Sequence, residues 1–163
     1  MRDEEGVQGC YCLLIAHRSS LRPFMSPDQV KKILLDTKTI AVVGISSRPG
    51  RPAHDVPKYL QEHGYRIIPV NPNASEILGE KAYPSLTAIP REIHIDTVQL
   101  FLKHEDIARA VDEAIAIGAQ VVWMQEGVRD DVAAKRAQDA GLQVVQDRCM
   151  RAAHRFFFAE PKK

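Results

Sequence analysis

The chain has 163 residues, of which 45% are hydrophobic and 26% are charged, and this composition is ordinary for a globular domain. Its 22 Lys and Arg residues are balanced by 21 Asp and Glu residues, whereas a protein that neutralises many phosphates usually carries a basic excess. We therefore expect no nucleic-acid partner. We also expect no membrane partner, because no run in the sequence approaches the roughly 20 apolar residues that a spanning helix needs.

The cysteine and histidine content indicates the compartment and the absence of a metal site. Cys10, Cys12 and Cys149 are too few, and odd in number, for a disulfide framework. We therefore expect a reducing, cytoplasmic compartment. The six histidines show no spacing typical of a metal-ligand motif, so no metal site is predicted.

The first predicted element begins only at Ser26. Ser26 suits a helix N-cap, Pro27 suits the first helical position, and Asp28 suits the positive end of the helix dipole. Residues 1–25 are expected to be an N-terminal extension, either disordered or the product of an upstream start site. Residues 26–163 are expected to form one domain.

From this start, apolar β-branched runs alternate with stretches of helical periodicity, and glycine ends several of the helical stretches. The alternation predicts an α/β fold. We expect a Rossmann-like, doubly wound, mainly parallel five-stranded sheet with helices on both faces, in a single domain. The predicted strands are 39–45, 66–70, 97–102, 120–124 and 143–145, and the predicted helices are 26–36, 52–63, 105–117, 130–140 and 150–158.

The segment after the first predicted strand has the composition of a phosphate-binding turn. In open α/β sheets the ligand lies outside the carboxyl ends of the strands. Gly44 leaves room for close backbone approach, Ser46 and Ser47 offer hydroxyls and amides, and a helix N-terminus follows. Arg48 and Arg51 can add charge-assisted hydrogen bonds. The turn therefore predicts an anion site.

The segment after the second predicted strand bears on which nucleotide is bound. A dinucleotide-binding domain usually shows G-x-G-x-x-G after its first strand and an acidic residue after its second strand. Here Gly44 is followed by Ser46, and the second strand ends in Val70, Asn71 and Pro72 without a carboxylate. These residues favour coenzyme A over NAD, although an NAD(P)-dependent oxidoreductase remains an alternative.

Several longer motifs, in order, resemble the small coenzyme A-binding proteins, a family similar to the CoA-binding domain of the succinyl-CoA synthetase α-subunit. The resemblance extends from about Ile40 to His154. It is carried by AVVGISSRPGRPAHDV, YLQEHGYRIIPVNP, ILGEKAYPSL, GAQVVWMQEGV and DRCM.

The resemblance implies a role for residues at the ends of four predicted strands. In such a site Gly44, Ser46, Ser47 and Arg48 hold the pyrophosphate of coenzyme A, while Val70, Asn71 and Pro72 border its adenosine. The rest of the ligand would be lined by Phe101, Leu102, Lys103, Gln125, Glu126 and Gly127. Synthetase activity is not expected to transfer with the fold.

The leading functional hypothesis is a non-catalytic carrier, sensor or regulatory module for coenzyme A or acyl-CoA, without catalytic residues. One alternative is an acyl-CoA enzyme that needs a partner subunit. Another is a redox regulator in which Cys149 forms a mixed disulfide with coenzyme A. The aromatic cluster 156–158 suggests a homodimer contact.

Overall fold

The computed structural model describes residues 25–159. The predicted N-terminal extension lies outside them except for Met25, as does the end of the predicted domain. Five helices, seven strands and one short 3-10 helix make up the described part. In chain order they are α1 (Pro27–Asp36), β1 (Thr39–Val43), α2 (Pro52–Glu62), β2 (Arg66–Val70), β3 (Glu76–Ile77), β4 (Glu80–Lys81), the 3-10 helix (Leu86–Ala88), β5 (Thr97–Leu100), α3 (His104–Ala116), β6 (Val121–Met124), α4 (Asp131–Asp139), β7 (Gln143–Val145) and α5 (Met150–Phe158).

Five of the strands form one sheet in the order β2-β1-β5-β6-β7. All four pairings in this sheet are parallel. Counted within the sheet alone, the order is 2-1-3-4-5, so the direction of winding reverses between β1 and β5. The predicted five-stranded parallel sheet is confirmed, and its switch point lies next to Gly44.

Helices cover both faces of the sheet. The side chains of the buried strands therefore point alternately into two apolar clusters, one on each face. In β1, Ala41 packs with the cluster that includes residues of α3 and α4. Its neighbours Ile40 and Val42 pack on the other face, with residues of α1, α2 and α5. Burial on both faces explains why the strand sequences are continuously apolar rather than alternating. The doubly wound architecture is therefore confirmed.

The structure adds one small element that the sequence pattern does not reveal. β3 and β4 form an antiparallel hairpin, and its turn places Leu78 and Gly79 at φ 56° and 73°. Two-residue strands are too short to produce a period-2 pattern. In the main sheet, β5 ends at Leu100 rather than at the predicted residue 102, because Lys103 is already the N-cap of α3.

A cluster of rings joins α2 to α5 on the face opposite α3. Tyr59 stacks on His63 with 3.9 Å between ring centroids, and its hydroxyl lies 3.1 Å from Nδ1 of His154. The edge of Tyr65 also packs against His154. Burial, reinforced by the nearby His63, lowers the pKa of His154, whereas burial raises the pKa of Tyr65 to about 12.

The lowered pKa of His154 makes the stability of the fold depend on pH. In the unfolded chain this imidazole has a pKa near 6.5, whereas in the folded chain its pKa is lower, so protonation requires a lower pH. Stability should therefore fall as the pH drops through about 6.5 toward the folded pKa. Urea titrations between pH 7.5 and 5.5 should show a smaller loss in His154→Phe. Tyr59→Phe, which keeps the buried imidazole, should retain most of the loss. A His154→Phe profile that parallels wild type would contradict this assignment.

Candidate functional site

Gly44 directly follows β1 and lies beside the residues that follow β5. Its φ is 79°, and a Cβ at this position would lie 2.3 Å from the carbonyl oxygen of Phe101. Its amide donates to the carbonyl of Val70 at 3.2 Å. The sequence suggested that this glycine admits a ligand, but in the structure its missing side chain admits the backbone of the chain itself. Gly44 thus fixes the geometry of the switch point.

The turn after Gly44 folds back on the first turn of α2. The amide of Ser46 donates to the carbonyl of Ala53 at 3.1 Å, and the Ser46 hydroxyl accepts a bond of 3.1 Å from the amide of Arg48. The Gly50 amide donates to Oδ1 of Asp55 at 3.1 Å. These bonds hold the segment 45–51 in one compact turn over the N-terminus of α2.

Asp55 anchors that turn through two contacts on one carboxylate oxygen. In addition to the Gly50 amide, Nδ1 of His54 lies 3.0 Å from Oδ1. The hydrogen bond from His54 and the bond from Gly50 lower the pKa of Asp55. The carboxylate is therefore ionised at neutral pH, and its Oδ1 is occupied by the contacts with Gly50 and His54 that stabilise the turn.

The N-terminus of α2 has no side-chain cap, and the amides of His54 and Asp55 donate to the carbonyl of Arg51. Its N-cap, Arg51, makes no capping side-chain hydrogen bond, and Pro52 follows at the first helical position. In the described part of the chain, the amide of Ser47 has no hydrogen-bond partner. Ser47, Arg48 and Arg51 are all exposed. Amides and two guanidinium groups at a positive dipole end are suited to an anion.

The end of β2 is tied to the same turn by Asn71. Its Nδ2 donates to the carbonyl of Ile45 at 2.9 Å, and its Oδ1 accepts from the amide of Asn73 at 2.8 Å. The backbone amide of Asn71 donates to the carbonyl of Tyr83 at 2.9 Å. The Asn71 side chain therefore positions the β1–α2 turn, while its neighbours, the buried Val70 and the exposed Pro72, line a cavity.

A cavity of about 240 Å³ opens at the switch point, and we call it the switch-point cavity. It brings together four residues expected from the sequence, Gly44, Val70, Pro72 and Leu102. Its other wall was not expected from the sequence, because it comes from α3 and from the loop before the 3-10 helix. The additional lining residues are Val43, Pro84, Ser85, Asp106, Arg109, Ala110 and Glu113.

Two charged residues of that second wall are linked to each other. Nε of Arg109 lies 3.2 Å from Oε1 of Glu113, and Oε2 of Glu113 accepts a bond of 3.0 Å from the amide of Leu86. The carboxylate of Glu113, which is held by the amide of Leu86, thus positions the guanidinium of Arg109. Their spacing of four residues on one helix is the only sequence feature that relates them.

Three other expected residues lie outside this cavity. Phe101 packs against the apolar cluster of α1, α2 and α5, and Lys103 is the exposed N-cap of α3. Gln125 is only 3% exposed; its Oε1 accepts from the amide of Met150 at 3.3 Å. Among the described residues, Nε2 of Gln125 has no partner. The structure therefore places Gln125 beneath α5 rather than on an open surface.

A second cavity, of about 520 Å³, lies at the ends of β6 and β7, and we call it the β6–β7 cavity. The expected residues Glu126 and Cys149 meet there, and the Gly127 amide donates to Oδ1 of Asp147 at 2.7 Å beside them. Cys149 is half-buried and is the N-cap of α5. The remaining lining residues are Pro27, Arg148, Ala152, Ala153, Phe156 and Phe157.

Within residues 25–159, no three His, Cys, Asp or Glu side chains are grouped so that they could bind a metal ion. In the same range, no helix combines the length and the apolar character that a bilayer crossing requires.

The fold and the geometry of this edge define a doubly wound α/β domain with a cavity at its switch point. Residues 38–155 match the sequence profile of the CoA binding domain. The chain therefore belongs to the CoA binding domain family, and the resemblance seen in its motifs is confirmed.

Individual proteins show how far this similarity extends. An uncharacterized protein of Bacillus subtilis, YneT, is 40% identical over 129 residues, which are 79% of this chain and 94% of that protein. The structure of a hypothetical protein from Pyrococcus horikoshii OT3 is 44% identical, with a TM-score of 0.77, covering 80% of this chain and 91% of that one. Acetate–CoA ligase [ADP-forming] II of Archaeoglobus fulgidus is 36% identical over 85 residues, which are 51% of this chain but only 12% of the ligase.

Proposed function

We propose that this protein binds coenzyme A across the carboxyl edge of its sheet. The observation that carries the proposal is the N-terminus of α2, which has no side-chain cap and is accompanied by two exposed guanidinium groups, those of Arg48 and Arg51. Membership of the CoA binding domain family supports the identity of the ligand. A diphosphate at this position would receive amide hydrogen bonds, the helix dipole and two positive charges together.

The adenosine belongs in the switch-point cavity in this proposal. Val70 and Pro72 offer apolar contact on one side, and on the other side α3 offers the guanidinium of Arg109, which is paired with Glu113, and the carboxylate of Asp106. The volume of about 240 Å³ lies below the roughly 300–1,000 Å³ of pockets that enclose a whole drug-sized ligand. The cavity therefore suits one end of coenzyme A, with the rest of the molecule extending along the edge of the sheet.

The polar groups at the end of β2 favour coenzyme A over NAD. No carboxylate follows β2, where dinucleotide-binding domains hold the ribose hydroxyls. Asn71, which stands there instead, uses both ends of its amide on the backbone of the chain. A ribose that carries a phosphate meets no fixed negative charge from β2.

Three roles are each linked to a specific observation. One role is a carrier, sensor or regulatory module, and the relative YneT, 94% of which is matched by this chain, supports only the occurrence of such a domain by itself. A partner-dependent acyl-CoA enzyme is supported by the similarity to one region of an acetate–CoA ligase, and it predicts a nucleotide-binding partner in affinity purification. A redox role is supported by the position of Cys149 on the β6–β7 cavity, and it predicts a coenzyme A adduct that is absent in Cys149→Ser.

Calorimetry with coenzyme A, dephospho-coenzyme A and NAD⁺ tests the proposed ligand. Coenzyme A should bind most tightly, and loss of its 3′-phosphate should weaken binding by roughly 1–3 kcal/mol, the scale of hydrogen bonds to charged groups. Tighter binding of NAD⁺ would overturn the proposal and favour an oxidoreductase instead.

A further inference from the structure

The β6–β7 cavity is larger than the switch-point cavity, and one side of it is apolar. Its volume of about 520 Å³ falls within the range of small-molecule pockets, roughly 300–1,000 Å³. α5 supplies Ala152, Ala153, Phe156 and Phe157 to the lining, and α1 supplies Pro27. Phe156 is 79% exposed. A large aromatic side chain left in solvent beside a cavity is available for contact with a bound apolar group.

The opposite rim of this cavity is held rigidly. Nε1 of the buried Trp123 donates to the carbonyl of Arg148 at 2.7 Å, and the amide of Arg148 donates to the carbonyl of Met124 at 3.3 Å. The carboxylate of Asp147 is fixed by the amide of Gly127. These bonds fix the backbone on this side of the cavity in a defined position, as a preorganised binding site requires.

The charges on the rim disfavour the phosphate end of coenzyme A. The lining carries two exposed carboxylates, those of Glu126 and Asp147, against the one guanidinium of the half-buried Arg148, and an excess of negative charge disfavours an anion beside it. The exposed guanidinium groups of Arg48 and Arg51 lie at the N-terminus of α2 instead. The uncharged thioester end is the part of an acyl-CoA that suits the β6–β7 cavity.

The position of the cavity agrees with this orientation. α2 and α5 pack on the same face of the sheet, so a chain that leaves the N-terminus of α2 along the carboxyl edge reaches the N-terminus of α5. Two strand intervals separate the β1–β5 switch point from the gap between β6 and β7. At roughly 5 Å per interval this is about 10 Å, a distance that an extended phosphopantetheine arm exceeds.

We infer that the β6–β7 cavity receives the acyl group of a coenzyme A thioester, and that it selects neutral aliphatic acyl groups over acyl groups that end in a carboxylate. The inference rests on the proposed binding of coenzyme A. It adds a class of ligand, namely acyl-CoA with an uncharged acyl chain. It also adds the orientation of that ligand, with the nucleotide at the switch point and the thioester beside Cys149.

Calorimetry with coenzyme A, hexanoyl-CoA and succinyl-CoA tests this inference in the full chain. Burial of several methylenes against α5 should make hexanoyl-CoA bind at least about tenfold more tightly than coenzyme A. Succinyl-CoA should bind no more tightly than coenzyme A, because its terminal carboxylate meets Glu126 and Asp147. Ala152→Trp fills the cavity from an exposed helix position and should reduce the preference for hexanoyl-CoA to within about threefold.

Ala140→Trp is the matched control. Ala140 is also exposed, at the end of α4, and does not line the cavity, so this variant should keep the full preference for hexanoyl-CoA. No binding of coenzyme A by the wild type would overturn the proposed function itself. Binding of coenzyme A with no gain from the acyl chain, or with an equal gain from succinyl-CoA, would overturn only the acyl site. A gain that survives in Ala152→Trp would do the same.

Alkylation of Cys149 gives a second readout that needs no variant. Hexanoyl-CoA should slow the reaction of Cys149 with N-ethylmaleimide, since the acyl chain occupies the cavity that this thiol lines. Peptide mass spectrometry resolves Cys149 from Cys10 and Cys12, which serve as an internal reference. Protection by coenzyme A equal to that by hexanoyl-CoA at matched occupancy would contradict an acyl group at this position.

Discussion

Gly44→Ala should lower the free energy of unfolding by about 3 kcal/mol or more, the largest effect expected from a single methyl group in this protein. The added Cβ would lie 2.3 Å from the carbonyl oxygen of Phe101 and 3.2 Å from the Leu102 side chain. The first neighbour is backbone at the end of a central strand, so it cannot turn away as a side chain would. The φ of 79° adds the strain of an L-residue in the left-handed region.

Gly118→Ala separates the cost of the steric contact from the cost of the positive φ. Gly118 has a φ of 72°, close to that of Gly44, but no atom lies within 4 Å of its Cβ position. This variant should lose only the conformational cost, about 1 kcal/mol. Urea denaturation followed by circular dichroism measures both variants. Equal losses in the two would show that the approach of β1 to β5 is not what requires a glycine at position 44.

At Gly44 the sequence alone predicts the local turn but not the reason why a glycine is required. A glycine directly after a continuous β-branched run, followed by serines, a proline and a helix, predicts the turn and its place at the sheet edge. Whether the missing side chain makes room for a ligand or for another strand depends on the partner strand, which is more than 50 residues away. The alternation of strands and helices predicts the fold because burial on both faces requires each strand to be apolar throughout.

The residues that the sequence could not assign are those whose environment is set by distant packing. Gln125 follows a buried strand, as ligand-lining residues often do, yet in the structure it bonds to the amide of Met150 beneath α5. Arg109 and Glu113 lie in the middle of a helix, where charged residues usually face solvent, and only the docking of α3 beside β5 brings them to the switch-point cavity. No local pattern distinguishes these cases.

Arg48→Ala combined with Arg51→Ala should weaken binding of coenzyme A by about 2–4 kcal/mol, since each guanidinium makes charge-assisted contacts worth roughly 1–3 kcal/mol. Arg48→Ala alone should account for about 1–3 kcal/mol. Both side chains are exposed, and the turn is held by bonds from Ser46, Gly50 and Asp55 instead. The empty protein should therefore unfold at nearly the wild-type temperature. Calorimetry and thermal denaturation measure the two quantities.

Arg66→Ala combined with Arg91→Ala removes the same charge from the other end of the sheet. Arg66 is the exposed first residue of β2, and Arg91 is exposed in the loop before β5. This control should lower the affinity for coenzyme A only slightly at 0.15 M salt, because the Debye length is then about 8 Å. Losses of the same size in the two double variants would point to the overall field of the protein, and the diphosphate would no longer be assigned to the N-terminus of α2. A large loss confined to the Arg48 and Arg51 variant places the diphosphate at the first turn of α2, where the helix dipole and both guanidinium groups act on one ligand group.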